Sequence, residues 1–148
     1  MADIVTSGLV FYSRFWQSDL NGSTFLSGDS YQHLCTAIGA TWGIQGRSFN
    51  GIGDYIDCGT ADILRQTGAQ SMFAWVYPTD WTGSPGIIGR GALGTSNTVN
   101  AGIGLWLSTA GVLRLQTNDG VTATSTDSAY TLSLSTWQYV GFTWDGTT

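Results

Sequence analysis

The chain has 148 residues and a formal net charge of −5; its ten acidic residues are all Asp and its five basic residues all Arg. Without Glu or Lys it lacks two strong helix formers, while 21 Gly, 7 Trp and abundant Ser and Thr suit short strands joined by tight turns, so an all-β domain is expected. Five dispersed Arg residues cannot track a phosphate backbone, which excludes a nucleic-acid binder, and apolar runs as short as LVFY (9–12) fall far below the ~20 residues that span a bilayer.

Taken in chain order, MADIVTSGLVFY has neither a basic start nor a long apolar stretch, so it does not read as a secretory leader. Strands are expected at 8–15 (GLVFYSRF), 36–42 (TAIGATW), 47–50 (RSFN) and 54–58 (DYIDC), followed by a single helical turn in ADILRQTG (61–68). MFAWVY (72–77) and YVGFTW (139–144) carry apolar residues on both faces, which predicts central strands sandwiched between two layers. Between them lie GIIGR (86–90), GIGLWLS (102–108), the cleanly alternating VLRLQT (112–117) and VTATST (121–126). Turn signals punctuate these strands: NG at 21 and 50, SPG at 84, NDG at 118 and DG at 145. No linker, heptad or repeat interrupts them, so residues 1–148 read as one antiparallel sandwich or barrel.

Cys35 and Cys58 are the only cysteines; they read either as a disulfide or as two small buried apolar thiols. The stretch SFNGIGDYIDCG (48–59) sets Asp54, Asp57 and Cys58 within five positions, the spacing of either a metal or catalytic cluster or a tight polar hairpin.

Six segments in order resemble the laminin-G-like branch of the concanavalin A-like lectin/glucanase superfamily: GLVFY (8–12), GATW (39–42), GRSFNGIGDYI (46–56), FAWVYP (73–78), IIGRG (87–91) and TWQYVGFTWDG (136–146). The resemblance covers nearly the whole chain. It implies a jelly roll of two curved antiparallel sheets with ligand sites on the rim loops or concave sheet. Under it, SFNG enters a turn and DYIDC leaves it, so Asp54 and Asp57, three apart on a strand, point to opposite faces, and the hairpin reading is preferred.

Glucanases of the superfamily use paired carboxylates, and this chain has no Glu and no two Asp at same-face spacing on an expected strand, so no catalytic residue is assigned. One histidine, His33, excludes a multi-His zinc site and reads as a loop residue. Calcium is the one cofactor considered: relatives of this fold hold an ion at the rim, and Asp54, Asn118, Asp119 and Asp145, all beside turn glycines, are the candidate ligands. Their alternative role is to bond their own turn backbone, and that reading is preferred. For stacking on a sugar, Trp81 in the loop PTDWTGSPG is the first candidate and Trp16 in SRFWQSDLNG the second; Trp42, Trp75, Trp106, Trp137 and Trp144 are expected in the core.

FTWDGTT (142–148) reads as a strand entering a turn, and members of the resembled family continue with further strands. An incomplete domain, a homo-oligomer or a second chain donating a strand are the alternatives. The expected function is a non-catalytic recognition or adhesion module for a glycan or protein on a surface. The rival is a structural protein of a particle surface, such as a virion decoration or tail-fibre protein. Either places the chain outside a cell or on a virion.

Overall fold

In a computed structural model that describes residues 8–66, 68–90, 102–118 and 122–146, every regular element longer than one helical turn is a β-strand. All pairings are antiparallel, so the expected all-β class holds. The chain forms two compact units, one ending at Arg65 and the other starting at Gln66.

In the first unit, β1 (Thr24–Leu26), β2 (Leu34–Ile38) and β5 (Tyr55–Asp57) make a sheet in the order β1-β2-β5, while β3 (Thr41–Gly43) and β4 (Gly46–Ser48) form a separate hairpin. The expected strand 36–42 is broken because Gly39 adopts φ +73° and a Cβ there would overlap the Asp54 carboxylate. Leu20, Phe25 and Cys35 are buried at the centre, with Phe11, Phe15, Ala37, Ile56 and Cys58 packed around them. Arg47 ties this core together: its guanidinium donates to the carbonyls of Ala40 at 3.1 Å, Leu20 at 2.5 Å and Gly22, and lies 5.4 Å from the Phe25 ring centroid.

The expected strand at 8–15 is not one. Three of its backbone groups find partners outside any ladder, two of them in the buried pair Asp29 and His33. The Tyr12 amide donates to Asp29 Oδ2 at 3.0 Å, the Gly28 amide donates to the Tyr12 carbonyl at 2.6 Å, and His33 Nε2 lies 2.8 Å from the Val10 carbonyl.

The second unit holds a four-stranded sheet ordered β10-β9-β8-β7, from β7 (Gly86–Arg90), β8 (Gly102–Leu107), β9 (Val112–Asn118) and β10 (Ala123–Thr131). Against it lies the ribbon of β6 (Gln70–Val76) and β11 (Gln138–Trp144). Leu105, Leu107, Leu132 and Val140 form the buried core, flanked by Val76, Trp81, Ile87, Ile88, Leu113 and Phe142. β10 bulges between Asp127 and Thr131, where the Ser128 hydroxyl accepts the Leu113 amide at 3.2 Å in place of a ladder bond. The single helical turn expected in 61–68 is a 3-10 turn at Asp62–Leu64.

The expectation that MFAWVY and YVGFTW are covered on both faces is corrected. β6 alternates half-buried and exposed along its whole length: Met72, Ala74 and Val76 face inward, Phe73 and Trp75 outward. Among the described residues of the second unit, each strand has a neighbouring layer on one side only.

Candidate ligand-binding face

The outer face of the β6–β11 ribbon carries the largest concentration of exposed aromatic rings among the described residues. Successive side chains of a strand alternate between faces, so Phe73, Trp75 and Tyr77 project together from β6 and its end. Antiparallel register then sets Tyr139 directly opposite Trp75, and Trp137, one residue before β11, comes beside Tyr77. Trp75 is 61% exposed, Tyr139 60% and Phe73 50%; Tyr77 and Trp137 are less so. These are values for loop tips, not strand interiors.

The rings are ordered against one another. Phe73 and Tyr139 stack at 5.6 Å with a 9° interplanar angle, Trp75 and Tyr139 meet at 5.4 Å and 45°, and Tyr77 and Trp137 at 5.5 Å and 54°. Such pairs contribute about 0.5–1.5 kcal/mol beyond the area they cover, which restrains the planes before any ligand arrives. Gly141 makes the first contact possible: it lies opposite Phe73, whose ring covers it. At one end of the row Ser71 pairs with Thr143, placing two exposed hydroxyls on the same face. Neither strand contains an acidic or basic residue.

This face corrects the expectation that Trp75 and Trp137 belong to the core. Of the remaining tryptophans, Trp42, Trp106 and Trp144 are half-buried, and the Trp42 indole donates to the Gln17 carbonyl at 3.1 Å. Trp16 is 50% exposed in the first unit. Trp81 is half-buried in the second unit, packed on the Leu105–Val140 core, with its ring so close to Gly111 that a Cβ there would fall 2.8 Å from it.

The acidic candidates are dispersed. Asp54 accepts the Asn50 amide at 2.8 Å, and the Asn50 side chain accepts the amides of Ile52 at 2.8 Å and Gly53 at 3.1 Å. Tyr55 and Asp57 are exposed while Ile56 and Cys58 are half-buried, so Asp57 turns outward from its strand as the hairpin reading expects. Asn118 is buried at the end of β9, Asp145 is exposed after β11, both hold partners, and Asp119 lies outside the described residues. Among the described residues no three His, Cys, Asp or Glu side chains converge as a metal site.

His33 is buried beside Asp29, 3.8 Å away, and stacks on Tyr31 at 5.7 Å; it belongs to the tether of residues 10–12. Cys35 and Cys58 are free thiols; the Cys35 thiol donates to the His33 carbonyl at 3.5 Å and the Cys58 thiol to the Ile56 carbonyl at 4.0 Å. Burial first, then the neighbouring Cys35, pushes the Cys58 thiol up to about 12, so neither is poised as a nucleophile at neutral pH.

Searches of curated proteins and of solved structures returned no match. A family model described as the Concanavalin A-like lectin/glucanases superfamily, in its laminin-G form, matches residues 49–148, about two thirds of the chain, including every strand of the second unit. The antiparallel sheets, the ordered segments and this match converge: the chain belongs to the laminin-G-like branch of the concanavalin A-like lectin/glucanase superfamily.

Proposed function

We propose that the chain is a non-catalytic recognition module that binds a neutral glycan on the aromatic face of β6 and β11. The coarse part of this reading, a binding module, follows from the family. The finer part rests on one observation: five aromatic residues, Phe73, Trp75, Tyr77, Trp137 and Tyr139, share one exposed strand face. A soluble protein seldom leaves so many rings in water without a partner for them. A pyranose presents an apolar face to an aromatic plane and a rim of hydroxyls to polar neighbours. Trp75 and Tyr139 supply the planes, and Ser71 and Thr143 the hydroxyl partners. With no charged side chain in either strand, a uronate or sialic acid would find no counter-ion, which favours an uncharged sugar.

The family includes glycosidases, yet the chain contains no Glu and the aromatic face no carboxylate, so the reading assigns no acid, base or nucleophile. For the same reason it requires no calcium at the face. Domains of this family are commonly extracellular, and no helix among the described residues is long and apolar enough to cross a membrane. A surface setting outside a cell or on a virion fits the proposal.

The test is a neutral-oligosaccharide array followed by titration of the best ligand against wild type and Trp75→Ala. Truncating an aromatic anchor at the centre of a contact commonly costs about 2 kcal/mol or more, roughly a 30-fold loss of affinity. Trp75 is mostly exposed, so its removal should cost no more than the roughly 0.5–1.5 kcal/mol of its contact with Tyr139 and leave the protein folded. Equal binding by the variant, or no retention of any neutral glycan, contradicts the proposal. A second reading, a structural protein of a particle surface, draws support from the uncharged strand edge of β11. It predicts that Trp75→Ala is silent in sugar binding and that assembly depends on that edge.

A further inference from the structure

We propose that Cys35 and Cys58 are a redox pair, oxidised to a cross-strand disulfide between β2 and the end of β5 by a small-molecule disulfide of the glutathione class. Thr36 pairs with Asp57 and Ala37 with Ile56, so the next step of the same antiparallel register sets Cys35 opposite Cys58. The two chains still run side by side one residue further on, where a Cβ built on Gly59 would lie 3.8 Å from the Leu34 carbonyl. Cys35 is fully buried at the centre of the first unit's core, and Cys58 packs against that core. Both thiols therefore leave their strands on the inner face.

The hydrogen-bond pattern of β2 decides whether such a pair can be bridged. The Ala37 amide donates to the Ser23 carbonyl at 2.7 Å, and the His33 carbonyl accepts the Ser27 amide at 2.9 Å, both on the β1 side. Opposed residues of antiparallel strands alternate between hydrogen-bonded and non-hydrogen-bonded pairs. Cys35 lies midway between Ala37 and His33, in register with Phe25, so it turns its amide and carbonyl to β1 and meets Cys58 at a non-hydrogen-bonded position. Opposite Cα atoms at such a position are about 4.5 Å apart and a disulfide spans about 4.4–6.8 Å, so the bond closes without moving either strand. Each thiol proton has only a weak partner to lose, the His33 carbonyl at 3.5 Å and the Ile56 carbonyl at 4.0 Å. Among the described residues no three His, Cys, Asp or Glu side chains gather as a metal site, so the two thiols are not part of one.

Cys58 is half-buried and Cys35 fully so, which orders the exchange. The Cys58 thiolate attacks one sulfur of the small disulfide, whose S–S bond breaks to release a thiolate. The Cys35 thiolate then attacks the Cys58 sulfur of the mixed disulfide and releases the second. The protein pair loses two electrons, the small disulfide gains them, and the two protein protons end on the two released thiols. Burial holds both thiols up, so the folded dithiol exchanges slowly at neutral pH and the bond closes as the chain folds. It encloses the β3–β4 hairpin and the Asn50–Asp54 turn, and removes open conformations of that loop from the unfolded chain. The surface setting proposed above supplies the oxidant; the geometry does not depend on it.

The full chain, equilibrated with mixtures of reduced and oxidised glutathione from both redox states, tests the proposal without a ligand, so its outcome is independent of whether sugar binds. Acid quenching, alkylation and intact mass give the fraction oxidised. The native protein should end as a monomer lighter by two hydrogens, and proteolysis should yield a peptide that joins residues 35 and 58. Its dithiol–disulfide equilibrium constant should exceed that of the same chain in urea by about tenfold or more, because a fold that stabilises the bond is stabilised by it equally. Equal constants, a lower constant in the native protein, a glutathione adduct as the end product, or a bond between two chains would each overturn it.

Discussion

Asp29 shows how one side chain replaces a β-ladder. Residues 8–15 have strand composition, yet the backbone around Tyr12 is held by the Asp29 carboxylate, which also accepts the Tyr31 amide at 2.9 Å. Burial draws that carboxyl upward, but hydrogen bonds from the Ser27 hydroxyl and the Tyr12 and Tyr31 amides together outweigh it and hold it below the ordinary 3.8. A depressed carboxylate stabilises the fold above its unfolded pKa, and that contribution fades as pH falls below about 3.8 through the folded value. Asp29→Ala strands two amides; it should lower stability by about 1–3 kcal/mol, accelerate hydrogen exchange at the Tyr12 amide, and flatten the acid limb of the stability curve. Unchanged exchange at Tyr12 would show that the tether lies elsewhere. Nothing in GLVFYSRF announces this, because Asp29 is seventeen residues from its partner and reads in sequence as an ordinary turn residue.

For individual strands, periodicity carried most of the information. GIIGR was expected at 86–90 and is β7 with those bounds; β9, β6 and β11 differ from their expected ranges by a residue or two. What periodicity could not give was the side that faces water. A strand with apolar residues on both faces reads as doubly covered, and MFAWVY and YVGFTW met that criterion. The distinguishing signal was residue type within the alternation: Met72, Ala74 and Val76 on one side, Phe73, Trp75 and Tyr77 on the other. On β6 the aliphatic side chains face the core and the flat rings the outside, whereas β11 turns the Phe142 ring inward.

Gly141 is the element's most constrained position, since a Cβ there would overlap both the Phe73 ring and the Met72 carbonyl. The ring can swing away but the carbonyl cannot, so Gly141→Ala must displace β11 from β6. The expected loss is about 1–3 kcal/mol, the usual range for forced overpacking. A denaturation midpoint equal to wild type would show that the ribbon accommodates the methyl group and that the Phe73–Tyr139 stack does not depend on glycine.

For the molecule as a whole, fold class and family were legible because they depend on features spread along the chain: missing Glu and Lys, regular turn signals, and ordered segments that the family match now supports over residues 49–148. The site was less legible because it depends on a few side chains whose exposure is settled by what packs behind them. Trp81 illustrates the difficulty: loop composition marks it as exposed, while Gly111 and the Leu105–Val140 core give its ring a bed to lie in. Trp75 presents the reverse case, a strand residue left 61% exposed.

The central claim is that the aromatic face of β6 and β11 meets the ligand. Its most direct measurement is a titration of the ¹⁵N-labelled protein with a neutral oligosaccharide, following the indole N–H signals of the seven tryptophans. The account predicts that the signals of Trp75 and Trp137 shift together and saturably while those of Trp16, Trp42 and Trp81 stay in place. Shifts confined to Trp81 or Trp16, with Trp75 and Trp137 unmoved, would place the binding site elsewhere and contradict it.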